Sequence, residues 1–361
     1  MEPRLAWNDL PEPLKQAIQA RTGPITSVRI ATAGQNSPLA ATVDTSSGKV
    51  FVKGIPSAHR QVITQAREAA AAPLVKDISP ALLWHFDEAG WNVLGYEHAP
   101  GRHADYTPGS PDLDQLVHLM DTLSTIKTPA NPGPLKRAED RWKPYLDNPE
   151  SASAFAGPVL THSDWTPDNV LISPDRAWLI DWAWPTLAAA WTDPACWILR
   201  LMASGGHTAP QAEQQANRLP AFQTANPAHI DLFAAANARL WDEITQSSTS
   251  TSTWTKDMAQ AALTWHAYRQ ARLPAAQHAR MQPETLPAGT AARAVAADAL
   301  LPARAAVLTE SAGTESLGAE TSSNNARASA RQRRGAAVRV VRAPGGSRRW
   351  GKPWTTCPWR P

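Results

Sequence analysis

Leu160-Thr-His162-Ser-Asp164-Trp-Thr-Pro167-Asp168-Asn169-Val170-Leu-Ile172-Ser-Pro-Asp175-Arg176-Ala-Trp178-Leu-Ile180-Asp181-Trp182 is the stretch on which the reading of this chain turns. Val170-Leu-Ile172 is a short apolar run, Ser173-Pro-Asp-Arg176 carries turn chemistry, and Trp178-Leu-Ile180 is a second apolar run, so the spacing predicts a hairpin. A hairpin would carry Asp181 back beside the loop that holds Asp164 and Asn169, five residues apart and interrupted by Pro167. A carboxylate able to accept a hydroxyl proton, a neutral amide oxygen and a second carboxylate then converge on one small volume. Phosphoryl transfer asks for that set: a base for the acceptor, and hard oxygen ligands for Mg²⁺ on the nucleotide phosphates.

His162-x-Asp164-x-x-x-x-Asn169, followed by an apolar hairpin and Asp181, resembles the catalytic segment of the aminoglycoside phosphotransferase family, a branch of the protein-kinase-like superfold. Ile180-Asp181-Trp182 stands where protein kinases carry Asp-Phe-Gly. The resemblance implies Asp164 as the base, Asn169 and Asp181 as Mg²⁺ ligands, ATP or GTP as the phosphoryl donor and a small-molecule hydroxyl as the acceptor. It also implies that His162 packs and hydrogen-bonds beneath the loop, and that Asp193, in Thr192-Asp193-Pro194, supports the loop. Read from the residues alone, Asp193 could equally cap the apolar helix that follows.

Working outward towards the N-terminus, Ile25–Ile30, Leu39–Val43 and Lys49–Lys53 read as three strands of a meander, and Trp91–Glu97 as a further one. Ser57 is expected to cap a helix that runs to about Ala72 and carries Glu68. In a kinase-like small lobe these pieces stand in the expected order. The resemblance implies that Lys53 sits on the α- and β-phosphates, that Glu68 pairs with it, and that the turn Gly34-Gln35-Asn36-Ser37 meets phosphate with backbone amides and the Ser37 hydroxyl. That turn has one glycine, a departure from the glycine-rich protein-kinase loop. The backbone of Glu97-His98-Ala99 falls where the family hydrogen-bonds the adenine edge.

Towards the C-terminus, Leu113, Leu116, Val117, Met120, Leu123 and Ile126 fall on one face of a helix from Pro111 to Ile126. Residues 128–157 read as a long irregular connection, and helices are expected over 195–202, 211–219, 230–245 and 253–272. Trp241, Trp254, Trp265 and Tyr268 are expected to pack the core, and Asp242, Glu243 and Asp257 are the acids on these helices that a cationic acceptor could use.

The expected architecture is therefore α+β and two-lobed, like a protein kinase: an N-terminal nucleotide-binding lobe (1–97) with an antiparallel sheet and one helix, and a larger, mainly helical catalytic and acceptor-binding lobe (98–285). Residues 286–361 form a basic Arg- and Ala-rich tail with twelve Lys and Arg against four Asp and Glu, a net +8. The whole chain is +3, which leaves the body near −5. Such a tail buries too little apolar area to order itself; it reads as a disordered extension or as the out-of-frame end of a GC-rich gene, with a basic arm for nucleic acid or acidic lipid as the competing reading. No run of eighteen apolar residues indicates a membrane span, no signal peptide opens the chain, and two distant cysteines give no disulfide framework, so the expectation is a cytoplasmic protein without a nucleic-acid role for its body. The competing reading of the fold is a catalytically inactive kinase-like module that binds nucleotide or protein. A metal-dependent hydrolase built on His162, Asp164 and Asp181 is disfavoured by the lack of further ligand-spaced His or Asp pairs.

Overall fold

Alternating and β-branched residues in the first hundred positions build one antiparallel sheet. In the computed structural model, which describes residues 4–32, 37–128, 133–247 and 253–272, its strands are β1 (Ile25–Ile30), β2 (Leu39–Thr45), β3 (Gly48–Pro56), β4 (Leu82–Glu88) and β5 (Trp91–Glu97), in the order β1-β2-β3-β5-β4. The register sets Ala40 against Lys53 and Lys53 against Leu94, which centres Lys53 in the sheet. Helix α1 (Glu12–Thr22), not expected from the sequence, buries Leu14 and Ile18 against Leu39, Val43, Val52 and Val93. Each such side chain contributes about 1.5–3 kcal/mol by leaving water.

Helix α2 (Ile63–Ala71) is shorter than expected. Ser57 is not its cap: the Ser57 N–H donates to Gly90 O, its hydroxyl donates to Asp87 Oδ1 at 2.6 Å, and turns occupy the residues up to Val62. Ser57 is thus spent on the β4–β5 hairpin, and the helix begins where that tie ends.

The remaining strands are short: β6 (Arg102–His103), β7 (Lys136–Arg137), β8 (Val159–Thr161), β9 (Val170–Ile172), β10 (Ala177–Leu179) and β11 (Thr186–Ala188). They form two three-stranded sheets, β10-β9-β6 and β7-β11-β8. The expected hairpin is present as β9–β10, with Ala177 facing Ile172 and Leu179 facing Val170. Gly101 enters this region at φ +147, where a Cβ would lie 2.9 Å from Ile172 O; a side chain there would collide with backbone.

The helices are α3 (Asp112–Ser124), α4 (Ala138–Trp142), α5 (Thr192–Gly205), α6 (Ala209–Ala216), α7 (Pro220–Gln223), α8 (Pro227–Ser247) and α9 (Thr253–Ala271). The apolar face of α3 buries Leu113, Leu116, Leu119, Met120 and Leu123. The connection expected to be irregular instead contains β7 and α4, because Ala138 and Trp142 are fully buried and anchor it to the core. A large apolar core joins these elements, and Ala71, Val75 and Ile78, at and just beyond the end of α2, belong to it. That junction is also hydrogen-bonded: Leu179 N–H donates to Ile78 O, the Ser79 hydroxyl to Leu179 O and the Trp182 indole to Ser79 Oγ. No helix among the described residues is long and apolar enough to cross a membrane. The turn Gly34-Gln35-Asn36 and the tail 286–361 lie outside the described residues.

Candidate active site

Burial decides the chemistry of Lys53. Its ammonium, 7% exposed, lies 2.6 Å from Glu68 Oε1 and 2.7 Å from Asp181 Oδ1. Burial works against the charge on Lys53, but the two carboxylates outweigh it and hold its pKa above the ordinary lysine value. Burial pushes the Glu68 carboxyl up to about 7, with Lys53 opposing and Asp181 adding to the rise. The Asp181 carboxyl is partly desolvated, yet Lys53 outweighs that effect and keeps its pKa below the usual carboxylate value. Tyr96 Oη donates to Glu68 Oε2 at 3.4 Å and completes the cluster.

These groups line a cleft of about 490 Å³. Of the residues singled out from the sequence, Ser37, Lys53, Glu68, Glu97, Ala99, Asn169 and Asp181 all lie on its wall. Ile30, Ala40, Leu171 and Ile180 supply apolar surface, while Arg4 and Arg29 add two cations that sequence reasoning did not single out. Neither His98 nor Ala99 makes a backbone hydrogen bond among the described residues, so the chain there is available to a ligand edge.

Asp164 does not line that cleft; it adjoins it through Asn169, whose Nδ2 donates to Asp164 O at 2.9 Å. The bond fixes the amide so that Asn169 Oδ1 is left without a hydrogen-bond partner among the described residues. An unengaged amide oxygen and a nearby carboxylate are the donor set a hard cation takes up, alongside phosphate and water oxygens. Among the described residues no three His, Cys, Asp or Glu side chains cluster as a metal site, so any such ion would depend on the phosphates for its remaining ligands.

The loop that presents Asp164 is held from beneath. His162 is 1% exposed; its Nε2 faces Ile180 O at 3.0 Å, which requires the proton on that nitrogen and leaves Nδ1 to accept the Asp164 N–H. Its ring packs edge-on against Trp182 at 4.7 Å. Ser163 and Asp181 adopt φ +61 and +62, left-handed backbone that side chains other than Asn, Asp and Gly rarely adopt. Asp193 accepts the N–H of His162 at 2.9 Å and of Ser163 at 2.7 Å, so it supports the loop and caps nothing; burial pushes its pKa up.

Two arginines here escaped sequence reasoning. Arg141, in α4, is 4% exposed and donates through Nη1 to Ser163 Oγ and Thr186 Oγ1. Arg200, in α5, donates to Asp164 Oδ1 at 2.6 Å. Arg200 lies seven residues after Asp193, two helical turns on, so both reach the loop from one face of α5. An arginine inside the apolar run Cys196-Trp-Ile-Leu-Arg200-Leu was the available signal.

No protein-family model matches the sequence, and no curated protein matches it. The structure is similar to that of choline kinase LicA from Streptococcus pneumoniae, with a TM-score of 0.50 and 15% identity over 71% of this chain and 99% of that one. LicA in complex with AMP gives a TM-score of 0.51 at 16% identity, over 71% of this chain and 97% of that one. At this level of identity the likeness establishes the fold: the two-lobed α+β, protein-kinase-like architecture.

Proposed function

We propose that this protein is an ATP-dependent phosphotransferase that moves the γ-phosphoryl group to a hydroxyl of a small molecule. The observation that carries this reading is Lys53 held between Glu68 and Asp181 on a cleft wall that also presents Asn169, one hydrogen bond from Asp164. Buried charge is costly, and an ammonium is kept between two carboxyl groups where a polyanion would be received. The fold shared with a choline kinase whose structure holds AMP supports an adenine nucleotide, with GTP the other candidate donor.

Asp164 orients the acceptor hydroxyl and takes its proton. Oδ1 is committed to Arg200, which leaves Oδ2 for that role. Lys53 neutralises the phosphates that are not transferred, and the Ser37 hydroxyl adds a contact to them. The backbone of Glu97 to Ala99 meets the base. Asn169 Oδ1 and Asp181 would hold Mg²⁺, which neutralises and aligns the phosphates when bound. The transition state is loose, so positioning and charge neutralisation carry more of the rate than the basicity of Asp164.

The test is ADP formation from Mg-ATP across a panel of small alcohols, with Asp164→Asn beside the parent. Turnover in Asp164→Asn is expected to fall about 10²–10⁴-fold with nucleotide affinity retained. Equal turnover in both proteins excludes the base role, and nucleotide binding without acceptor-dependent turnover favours an inactive binding module.

A further inference from the structure

Asp164 meets its acceptor beside a cation. Arg200 is 8% exposed, yet it uses only Nη2 in protein hydrogen bonding. Its Nε and Nη1 have no hydrogen-bond partner among the described residues, and its side chain is 9% exposed. A guanidinium offers five donors in a rigid planar fork. One contact at 2.6 Å therefore leaves most of that fork unused, beside the atom that would deprotonate the acceptor.

The walls of this position are aromatic. The Arg200 guanidinium lies 5.7 Å from the Trp241 ring centre and 5.8 Å from that of Trp254, and the two indoles meet edge to face. These rings already have a cation over them, so they are not free to receive a second one from a ligand. Asp242, Glu243 and Asp257 are exposed, and Asp242 accepts a hydrogen bond from Gln246 Nε2 at 2.7 Å. A second buried guanidinium, Arg141, lies behind the same loop on Ser163 Oγ. The cation nearest the Asp164 carboxylate is therefore Arg200, and the indoles beside it are already occupied by that guanidinium.

Resting on the phosphotransferase reading above, we propose that Arg200 determines acceptor specificity: the acceptor is a small alcohol that also carries an anionic group, a carboxylate or a phosphate, close to the reacting hydroxyl. The free edge of Arg200 binds that anion while Asp164 Oδ2 faces the hydroxyl. In the transfer, the bond between the γ-phosphorus and the β–γ bridging oxygen breaks, and one forms from the acceptor oxygen to that phosphorus. The hydroxyl proton passes to Asp164, and ADP leaves with the electron pair of the broken bond.

The experiment compares glycerol, glycerate, glycerol 3-phosphate, choline and kanamycin as acceptors with Mg-ATP, in the parent and in Arg200→Gln and Arg200→Lys. Slow ADP formation with water and the nucleotide Kd are followed in each protein. Glycerate or glycerol 3-phosphate is expected to exceed glycerol in kcat/KM, with choline and kanamycin below it; which of the two anions leads identifies carboxylate or phosphate. Hydrogen bonds to a charged group are worth about 1.5–3 kcal/mol, so Arg200→Gln is expected to raise KM for the anionic acceptor by about 10–100-fold relative to glycerol, with unchanged nucleotide Kd. Arg200→Lys keeps the charge without the fork and falls between.

Preference for choline or kanamycin over glycerol overturns the proposal, as does a loss in Arg200→Gln that is equal for all acceptors. If ADP forms only with water, glycerate and glycerol 3-phosphate must alter that rate saturably in the parent and not in Arg200→Gln; no such effect also overturns it. Nucleotide binding with no ADP formed under any condition removes the phosphotransferase reading itself, and this inference with it.

Discussion

Lys53 is the residue whose loss is most legible in advance. Replacing it with methionine leaves buried Glu68, and half-buried Asp181 beside it, without their cation. Breaking a buried pair costs about 3–5 kcal/mol where the remaining charge stays ionised. Glu68, already raised to about 7, can instead take a proton, which limits the cost at low pH. The sign follows: a carboxyl whose folded pKa lies above its unfolded value near 4.5 binds more protons when folded, so stability falls as pH rises between the two. Lys53→Met moves the folded value further up. Urea denaturation at pH 5, 6, 7 and 8 is expected to show the variant losing stability with pH more steeply than the parent. A parallel offset at all four values would mean that Glu68 does not titrate there.

At the scale of elements, α5 does more for the loop than the loop does for itself. Asp193 accepts two buried N–H groups, and an asparagine has one oxygen to offer in its place. Asp193→Asn leaves one of them facing an NH₂ group, at a cost of about 1–3 kcal/mol. The expected outcome is lower thermal stability and lower kcat, with nucleotide affinity little changed because Asp193 does not line the cleft. A variant that lost nucleotide binding in step with kcat would show that the loop and the cleft are not separable.

The same elements show how much could be read beforehand. The β9–β10 hairpin was legible because two apolar runs and a Ser-Pro turn state it locally. Helix α1 buries Leu14, Ile18 and Thr22 at four-residue spacing, but so short an apolar stripe, standing between prolines, is a weak local signal. Strand β4 alternates inward Trp84 and Phe86 with outward Leu83, His85 and Asp87, but the apolar Leu83 on the outward face of this edge strand obscures the pattern in the sequence. The contact from Arg200 to Asp164 spans 36 residues and depends on how α5 crosses under the loop, so no local pattern could have named the partner.

For the whole molecule, charge is divided along the chain. Every residue that lines the cleft lies between Arg4 and Trp182, whereas the net +8 belongs to residues 286–361. Ending the chain after residue 285 changes the net charge from +3 to about −5. Retention on heparin at low salt is expected to disappear, since such binding follows cationic charge and is screened by salt. Mg-ATP affinity is expected to persist; its loss would show that the tail takes part in the nucleotide site.

The attachment of α2 and residues 75–79 to the large core bears on how the molecule moves. If the cleft opens, these segments travel with the helical part, because Ala71, Val75 and Ile78 are packed into its interior and Ser79 is tied to β10. The parting line then runs between β3 and α2, and Lys53 stands on one bank with Glu68 and Asp181 on the other. Parting along that line would separate Lys53 from both carboxylates at once, and Tyr96 of β5 from Glu68.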